Sequence, residues 1–190
     1  MNRERLVELL KQKSFEKKRV KLASGRESNF FIDCKQTILT AEGHALVGKL
    51  MFEALAELGE VDAVAGVALG GCPLASAVSL VSFQSGSPLP AVYVRKERKD
   101  HGSEKLIEGD KALKPGARVA LLEDVITTGG SSLKALEVLR QAGCQVAGIV
   151  ALVDRLEGGE AAIAKAGIPL VRLTTRADFM SDAEAEAELS

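Results

Sequence analysis

Aromatic, histidine and cysteine residues are scarce: no tryptophan, one tyrosine, two histidines and three cysteines in 190 residues. With so few rings and a net charge of −1, no basic surface for stacking nucleic-acid bases is expected. Cys34, Cys72 and Cys144 are odd in number and show no CxxC spacing, which argues against a disulfide framework and against a zinc knuckle. No apolar run approaches the roughly 18 to 20 residues that a membrane span needs. The start MNRERLVELLKQK is too charged for a secretory leader, so a cytoplasmic protein is expected.

What is present fits a folded globular chain, with 46% apolar and 27% charged residues. The length predicts one domain, 1–190, able to bury about 70% of its unfolded surface. Short runs of Val, Ile, Leu and Ala at 61–69, 91–94, 118–122, 146–153 and 170–173 lack clean alternation, as strands buried on both faces do. Amphipathic stretches lie between them: 46–58 with Thr40 as N-cap and Gly59 as stop, 73–83, 131–142 and 160–166. Strands alternating with helices predict an α/β fold with a central parallel sheet flanked by helices. Residues 1–40 break this rhythm and are read as a small N-terminal hood. Residues 99–111, polar and following a strand, are read as a long functional loop. The acidic tail SDAEAEAELS reads as a solvated helix end.

The segment VALLEDVITTGGSSLKALEVLRQAG, residues 119–143, passes from an apolar strand through two acids and a Thr/Gly/Ser turn into a helix. In an open α/β sheet, ligands bind beyond the carboxyl ends of strands, where Glu123 and Asp124 are expected to stand. Thr127, Thr128, Gly129, Gly130 and Ser131 offer hydroxyls, approachable N–H groups and the positive end of a helix, which together make a phosphate cradle. The acids suit a pair of sugar hydroxyls and a cationic sugar carbon rather than a phosphate. Neither G-x-G-x-x-G nor a P-loop lysine is present, which disfavours dinucleotide and ordinary nucleoside triphosphate sites.

EDVITTGGS resembles the phosphoribosyl diphosphate (PRPP) signature of type I phosphoribosyltransferases. LASGRESNFFID (22–33), RKERKDHGSEKLIEG (95–109) and LVDRLEGG (152–159) resemble the orotate-using members in particular. The resemblance covers roughly residues 15–160, in the family's order. It implies the type I phosphoribosyltransferase fold and a transferase using PRPP, orotate and Mg2+, with the cation held mainly through PRPP and not by a protein metal site. It also implies a homodimer whose loop reaches the neighbouring subunit's site. By resemblance, Glu123 to Ser131, including Val125 and Ile126, bind PRPP together with Arg95, Lys96, Lys99, His101, Gly70 and Gly71. Lys99, His101 and Asp124 carry the catalytic roles, and Thr127, Arg155, Phe30 and Phe31 bind orotate.

The residues themselves agree with parts of this. RKERKDHG sets five basic residues against two acids, suited to a departing diphosphate. Arg155 stands where a guanidinium can engage a planar carboxylate, although an ion pair with Asp154 or Glu157 is an alternative. Packing of the hood is the alternative for Phe30 and Phe31. Gly70 stands where some family members carry lysine and Ala23 where many do, departures that remove two possible cations. Cys72 reads as a small buried residue and His44 as structural or exposed. Two other functions remain open at this point: a purine or uracil transferase of the same fold, and a PRPP-sensing regulator.

Overall fold

The computed structural model describes residues 2–21, 27–96, 105–181 and 184. An N-terminal helix α1 (Asn2–Lys13) leads into a separate antiparallel pair, β1 (Phe15–Lys21) and β2 (Glu27–Ile32). A short α2 (Lys35–Ile38) precedes α3 (Ala41–Ala54), whose N-cap is Thr40: its Oγ1 accepts from the Gly43 N–H at 3.1 Å, the cap that the sequence predicts. Then follow β3 (Ala63–Val67), α4 (Gly71–Gln84), β4 (Ala91–Val94), β5 (Ile107–Glu108), β6 (Arg118–Ile126), α5 (Gly130–Gln141), β7 (Gln145–Asp154), α6 (Gly159–Lys165) and β8 (Leu170–Thr175).

These last six strands form one sheet in the order β5-β4-β3-β6-β7-β8. All neighbours are parallel except the edge pair β4 and β5. Both faces are covered, which explains the unbroken apolar runs: Val150 and Leu152 of β7 enter one core, Ile149 and Ala151 the other. Leu6, Leu10, Phe30 and Ile32 of the N-terminal segment share the first core with Val64 and Leu122. The hood is therefore welded to the sheet by packed side chains.

Two predicted boundaries are corrected. The strand expected to stop at Leu122 continues to Ile126, because its ladder with β7 holds one register from Ala120 opposite Gly148 to Ile126 opposite Asp154. The expected loop 99–111 is in part structured: Ile107–Glu108 pairs with Val94 and Tyr93, and Asp110–Ala112 forms a 3₁₀ turn. Residues 99–104 of that loop, with Lys99 and His101, lie outside the described residues, as does Ala23.

The topology also fixes where a ligand can sit. From β3 the chain crosses through α4 to β4 on one side, then returns to place β6 on the other side of β3. The carboxyl ends of β3 and β6 therefore flank the point where the strand order reverses, the usual crevice of open α/β sheets.

Candidate active site

β3 and β6 are paired only as far as Gly66 opposite Leu122. Glu123 and Asp124 thus lie within β6, on the stretch that has outrun β3 but is still held by β7 on its other side. Glu123 is 5% exposed, and its Oε2 accepts a hydrogen bond from Ser132 Oγ at 3.0 Å. Burial, with Asp124 beside it, pushes the Glu123 carboxyl up to about 8, against smaller opposing effects of Ser132 and Lys96. Burial also raises Asp124, whose Oδ1 accepts from the Val125 N–H at 3.0 Å, while Lys35 and Lys96 pull the other way. Such a pair resists carrying two negative charges until positive charge or hydrogen-bond donors are brought to it.

After Ile126 the chain turns through Thr127, Thr128 and Gly129 into α5. Gly129 is left-handed, with φ +79°, a conformation that a side chain would strain. Among the described residues, no acceptor takes the backbone N–H groups of Thr128, Gly129, Gly130, Ser131 or Ser132. The hydroxyls of Thr127, Thr128 and Ser131 likewise make no hydrogen bond there. A helix start with open amides and hydroxyls is an anion site in geometry and in charge.

Gly70 and Gly71 close the crevice from the β3 side. A Cβ at Gly70 would sit 2.0 Å from Asp124 Oδ2, so the Asp124 carboxylate fills the volume that any side chain at position 70 would need. Gly71 lies against the Leu122 carbonyl, where a Cβ would come within 2.6 Å. The absence of lysine at position 70 is thus matched by a carboxylate lodged over the bare backbone.

The predicted cations divide. Lys96 is exposed, and its charge reaches both acids. Arg95 is tied to the edge strand: its Nη1 donates to Glu108 Oε1 at 3.1 Å. Lys35 was not singled out from the sequence, yet it lies close enough to Asp124 for each charge to shift the other, and its Nζ pairs with Asp33 Oδ1 at 2.5 Å. A lysine three residues after a strand carries no local signal of that proximity.

At the carboxyl end of β7, Arg155 is almost fully buried. Its Nη2 donates to the Phe30 carbonyl at 3.0 Å and to Ser28 Oγ at 3.2 Å, and pairs with Glu157 Oε1 at 2.8 Å. Burial lowers its pKa and Glu157 opposes that shift. Asp154 is not its partner; that carboxylate accepts from the Leu156 N–H and from Arg172. Gly159 brings the start of α6 against the turn that follows Ile126, since a Cβ there would come 2.6 Å from the Thr127 carbonyl.

The two phenylalanines part company, as neighbours on a strand must. The Phe30 ring is 1% exposed and packs with Phe15 and Phe179, with centroids 5.2 and 5.7 Å away. The expectation that both rings line a base pocket is corrected: Phe30 is a core residue of the hood and offers its carbonyl to Arg155. Phe31, half-buried, keeps a face open to a cation, with Lys18 Nζ 3.8 Å from its centroid. The thiol of Cys34 is buried beside the Asp124 carbonyl, and burial raises the pKa of both Cys34 and Cys72. His44 shares a hydrogen bond with the Ile38 carbonyl.

The phosphoribosyl transferase domain family matches residues 36–168. The chain is similar to an orotate phosphoribosyltransferase of Sorangium cellulosum (strain So ce56), 71% identical over 180 residues that cover 95% of this chain and 94% of that one. Orotate phosphoribosyltransferase of Mycobacterium tuberculosis H37Rv, solved in complex with Fe(III) dicitrate, superposes with a TM-score of 0.80 at 36% identity, covering 94% of this chain and 99% of that one. The same enzyme in complex with PRPP superposes with a TM-score of 0.76 at 33% identity, over 94% and 99% of the two chains.

Proposed function

This chain belongs to the orotate phosphoribosyltransferases, within the phosphoribosyl transferase family, and from that premise we propose how its residues divide the work. The reaction moves the 5-phosphoribosyl group from PRPP to orotate, giving orotidine 5′-monophosphate and pyrophosphate, a step of pyrimidine synthesis.

The 5′-phosphate rests on the open amides of the turn from Thr127 to Ser131, at the positive end of α5. Glu123 and Asp124 accept hydrogen bonds from the two ribose hydroxyls, and Val125 and Ile126 carry them there as strand. When the bond from C1′ to the diphosphate oxygen breaks, the sugar carbon becomes cationic; Asp124 faces that charge and stabilises it. The diphosphate lies between Gly70, Gly71 and the basic segment of Arg95, Lys96, Lys99 and His101. Arg155 and Thr127 orient orotate by its carboxylate and ring, Phe31 covers the ring, and the ring nitrogen then attacks C1′. Holding both reactants in register supplies most of the advantage, and no covalent enzyme intermediate is needed.

Mg2+ fits as an ion that arrives with PRPP. Among the described residues no three His, Cys, Asp or Glu side chains gather to hold a metal, yet the acid pair favours incoming positive charge. When bound, the ion neutralises diphosphate charge and so eases its departure. The functional unit is a homodimer in which Lys99 and His101 of one subunit serve the other's site. Mixed dimers joining Lys99→Ala to a subunit dead at its own site but intact in its loop test this: turnover equal to that of a wild-type and site-dead pair supports sharing, because the intact loop then serves the intact site, and turnover well below that pair refutes it. Among the described residues no helix is long and apolar enough to cross a membrane, and we place the enzyme in the cytoplasm.

One observation carries the reading: two consecutive carboxylates that resist charging stand beside an unengaged helix start, at the point where strand order reverses. The test is the fall in orotate absorbance with PRPP and Mg2+, set beside uracil, adenine and hypoxanthine. Turnover of orotate alone is expected; turnover of hypoxanthine but not orotate would overturn the substrate assignment.

A further inference from the structure

Arg155, to which the reading above gives the carboxylate of orotate, already holds a carboxylate in the structure. We propose that Glu157 is a placeholder for the substrate: it compensates the Arg155 charge while the base site is empty, yields that position to the carboxylate of orotate, and takes it back when product leaves. This rests on the assignment of Arg155 to orotate and goes beyond it.

Position and charge at Arg155 come from different places. Its Nη2 is held by two neutral acceptors on the hood strand, the Phe30 carbonyl at 3.0 Å and Ser28 Oγ at 3.2 Å. These keep the guanidinium where it is whether or not Glu157 is present. Among the described residues, the negative charge paired with it is that of Glu157, whose Oε1 lies at 2.8 Å. With side-chain exposures of 9% and 12%, the pair is largely withdrawn from water, where an unpaired charge is costly. Arg176 lies near enough for its charge to add to the lowering of the Arg155 pKa, which Glu157 opposes.

Arg155 also keeps donor capacity in reserve. Its Nε is buried and has no hydrogen-bond partner among the described residues, a state that a carboxylate docking side-on would end. Two carboxylates on one buried guanidinium repel, so the incoming anion displaces the resident one. Local backbone favours this arrangement: Leu156 sits between the two residues in a left-handed conformation, φ 58°, with its N–H on Asp154 Oδ1 at 2.9 Å.

Orotidine 5′-monophosphate and uridine 5′-monophosphate differ only in the carboxylate, so their affinities, titrated calorimetrically, isolate this contact. In Glu157→Gln the Kd for orotidine 5′-monophosphate is expected to fall about tenfold, the scale of one charge-assisted hydrogen bond freed from competition, with uridine 5′-monophosphate unchanged. The empty variant should melt below the wild type and gain more in Tm from the orotidine nucleotide. Glu157→Asp, shorter by one methylene but still charged, should fall between, and it supplies the comparison should the Gln variant fold poorly. Equal or weaker binding of orotidine 5′-monophosphate by both variants would overturn the placeholder role and make Glu157 a support for the guanidinium. Arg155→Ala separates the two claims: if it leaves the preference for the carboxylated nucleotide intact, the assignment of Arg155 to orotate fails whatever Glu157 does.

Discussion

Glu123 makes the stability of the empty enzyme depend on pH in an unusual direction. Its carboxyl is pushed from 4.5 to about 8 by burial and by Asp124, whereas in the unfolded chain it returns to the ordinary value. Between those values the folded protein holds a proton that the unfolded chain has released, so stability falls as pH rises through the interval and levels above about 8. At about 1.4 kcal/mol per pH unit, the whole interval amounts to roughly 5 kcal/mol, a large share of a typical domain's stability. Asp33, Glu42, Asp110 and Glu184 have lowered values, so their contributions are lost only as pH falls through the acid range, outside this window. Asp124 is raised and adds slope of the same sign. Glu123→Gln isolates Glu123, because its amide oxygen can still accept from Ser132 while carrying no titratable charge. Urea unfolding followed by circular dichroism from pH 5 to 8.5, without ligand, should show equal stability of the two proteins near pH 5. The variant should gain steadily to an advantage of several kcal/mol at pH 8.5, of the order of the roughly 5 kcal/mol interval. The same variant should bind PRPP poorly, since the ribose loses an ionised acceptor. Parallel stability curves for the two proteins would refute the assignment of a proton to Glu123.

Asp124→Asn should lower kcat by about 10² to 10³ while weakening PRPP binding much less, because its charge acts on the cationic sugar; single-turnover kinetics beside PRPP titration checks the split. Gly70→Ala puts a Cβ where the Asp124 carboxylate now lies, 2.0 Å from Oδ2, so kcat should fall at least about tenfold with little change in Tm; an unaltered kcat would show that Asp124 can work from elsewhere. Phe30→Ala should cost about 3 to 5 kcal/mol of stability, as for other buried rings. Phe31→Ala should instead raise the KM for orotate with a smaller loss of stability, and chemical denaturation with steady-state kinetics separates the two.

The contrast between those two rings shows where sequence reasoning stops. Strand alternation says that Phe30 and Phe31 face opposite ways, but which one meets the core depends on Phe15 and Phe179, from distant parts of the chain. The sheet and its helices were legible because strands buried on both faces are continuous apolar runs, and because caps such as Thr40 act over three residues. The strand β1, FEKKRVK, was not legible: it is polar, and its pairing with β2 is decided by the chain around it. The end of β6 lies beyond the position its apolar run predicts for a related reason. Two acids read as an exit from the core, yet the backbone ladder to β7 is indifferent to side-chain charge and continues past them.

The candidate site divides along the same line. The end proposed for the phosphate is assembled from consecutive residues, strand, acids, turn and helix, so spacing alone singles it out. The end proposed for the base is assembled across more than a hundred positions: Arg155 meets Phe30 and Ser28, 125 and 127 residues away. No local pattern encodes that meeting, so an arginine and two phenylalanines were visible as residue types but not as an arrangement. Even the short link between Ser132 and Glu123, nine residues apart, depends on α5 folding back beside β6. A phosphate cradle needs backbone amides in series, which a contiguous segment supplies by itself. Recognition of a planar carboxylated ring needs donors on opposite sides of the ligand, and a single segment cannot surround what it binds. The sequence therefore leaves the proposed base end most open, and measurements on Arg155, Glu157 and Phe31 bear on it most directly.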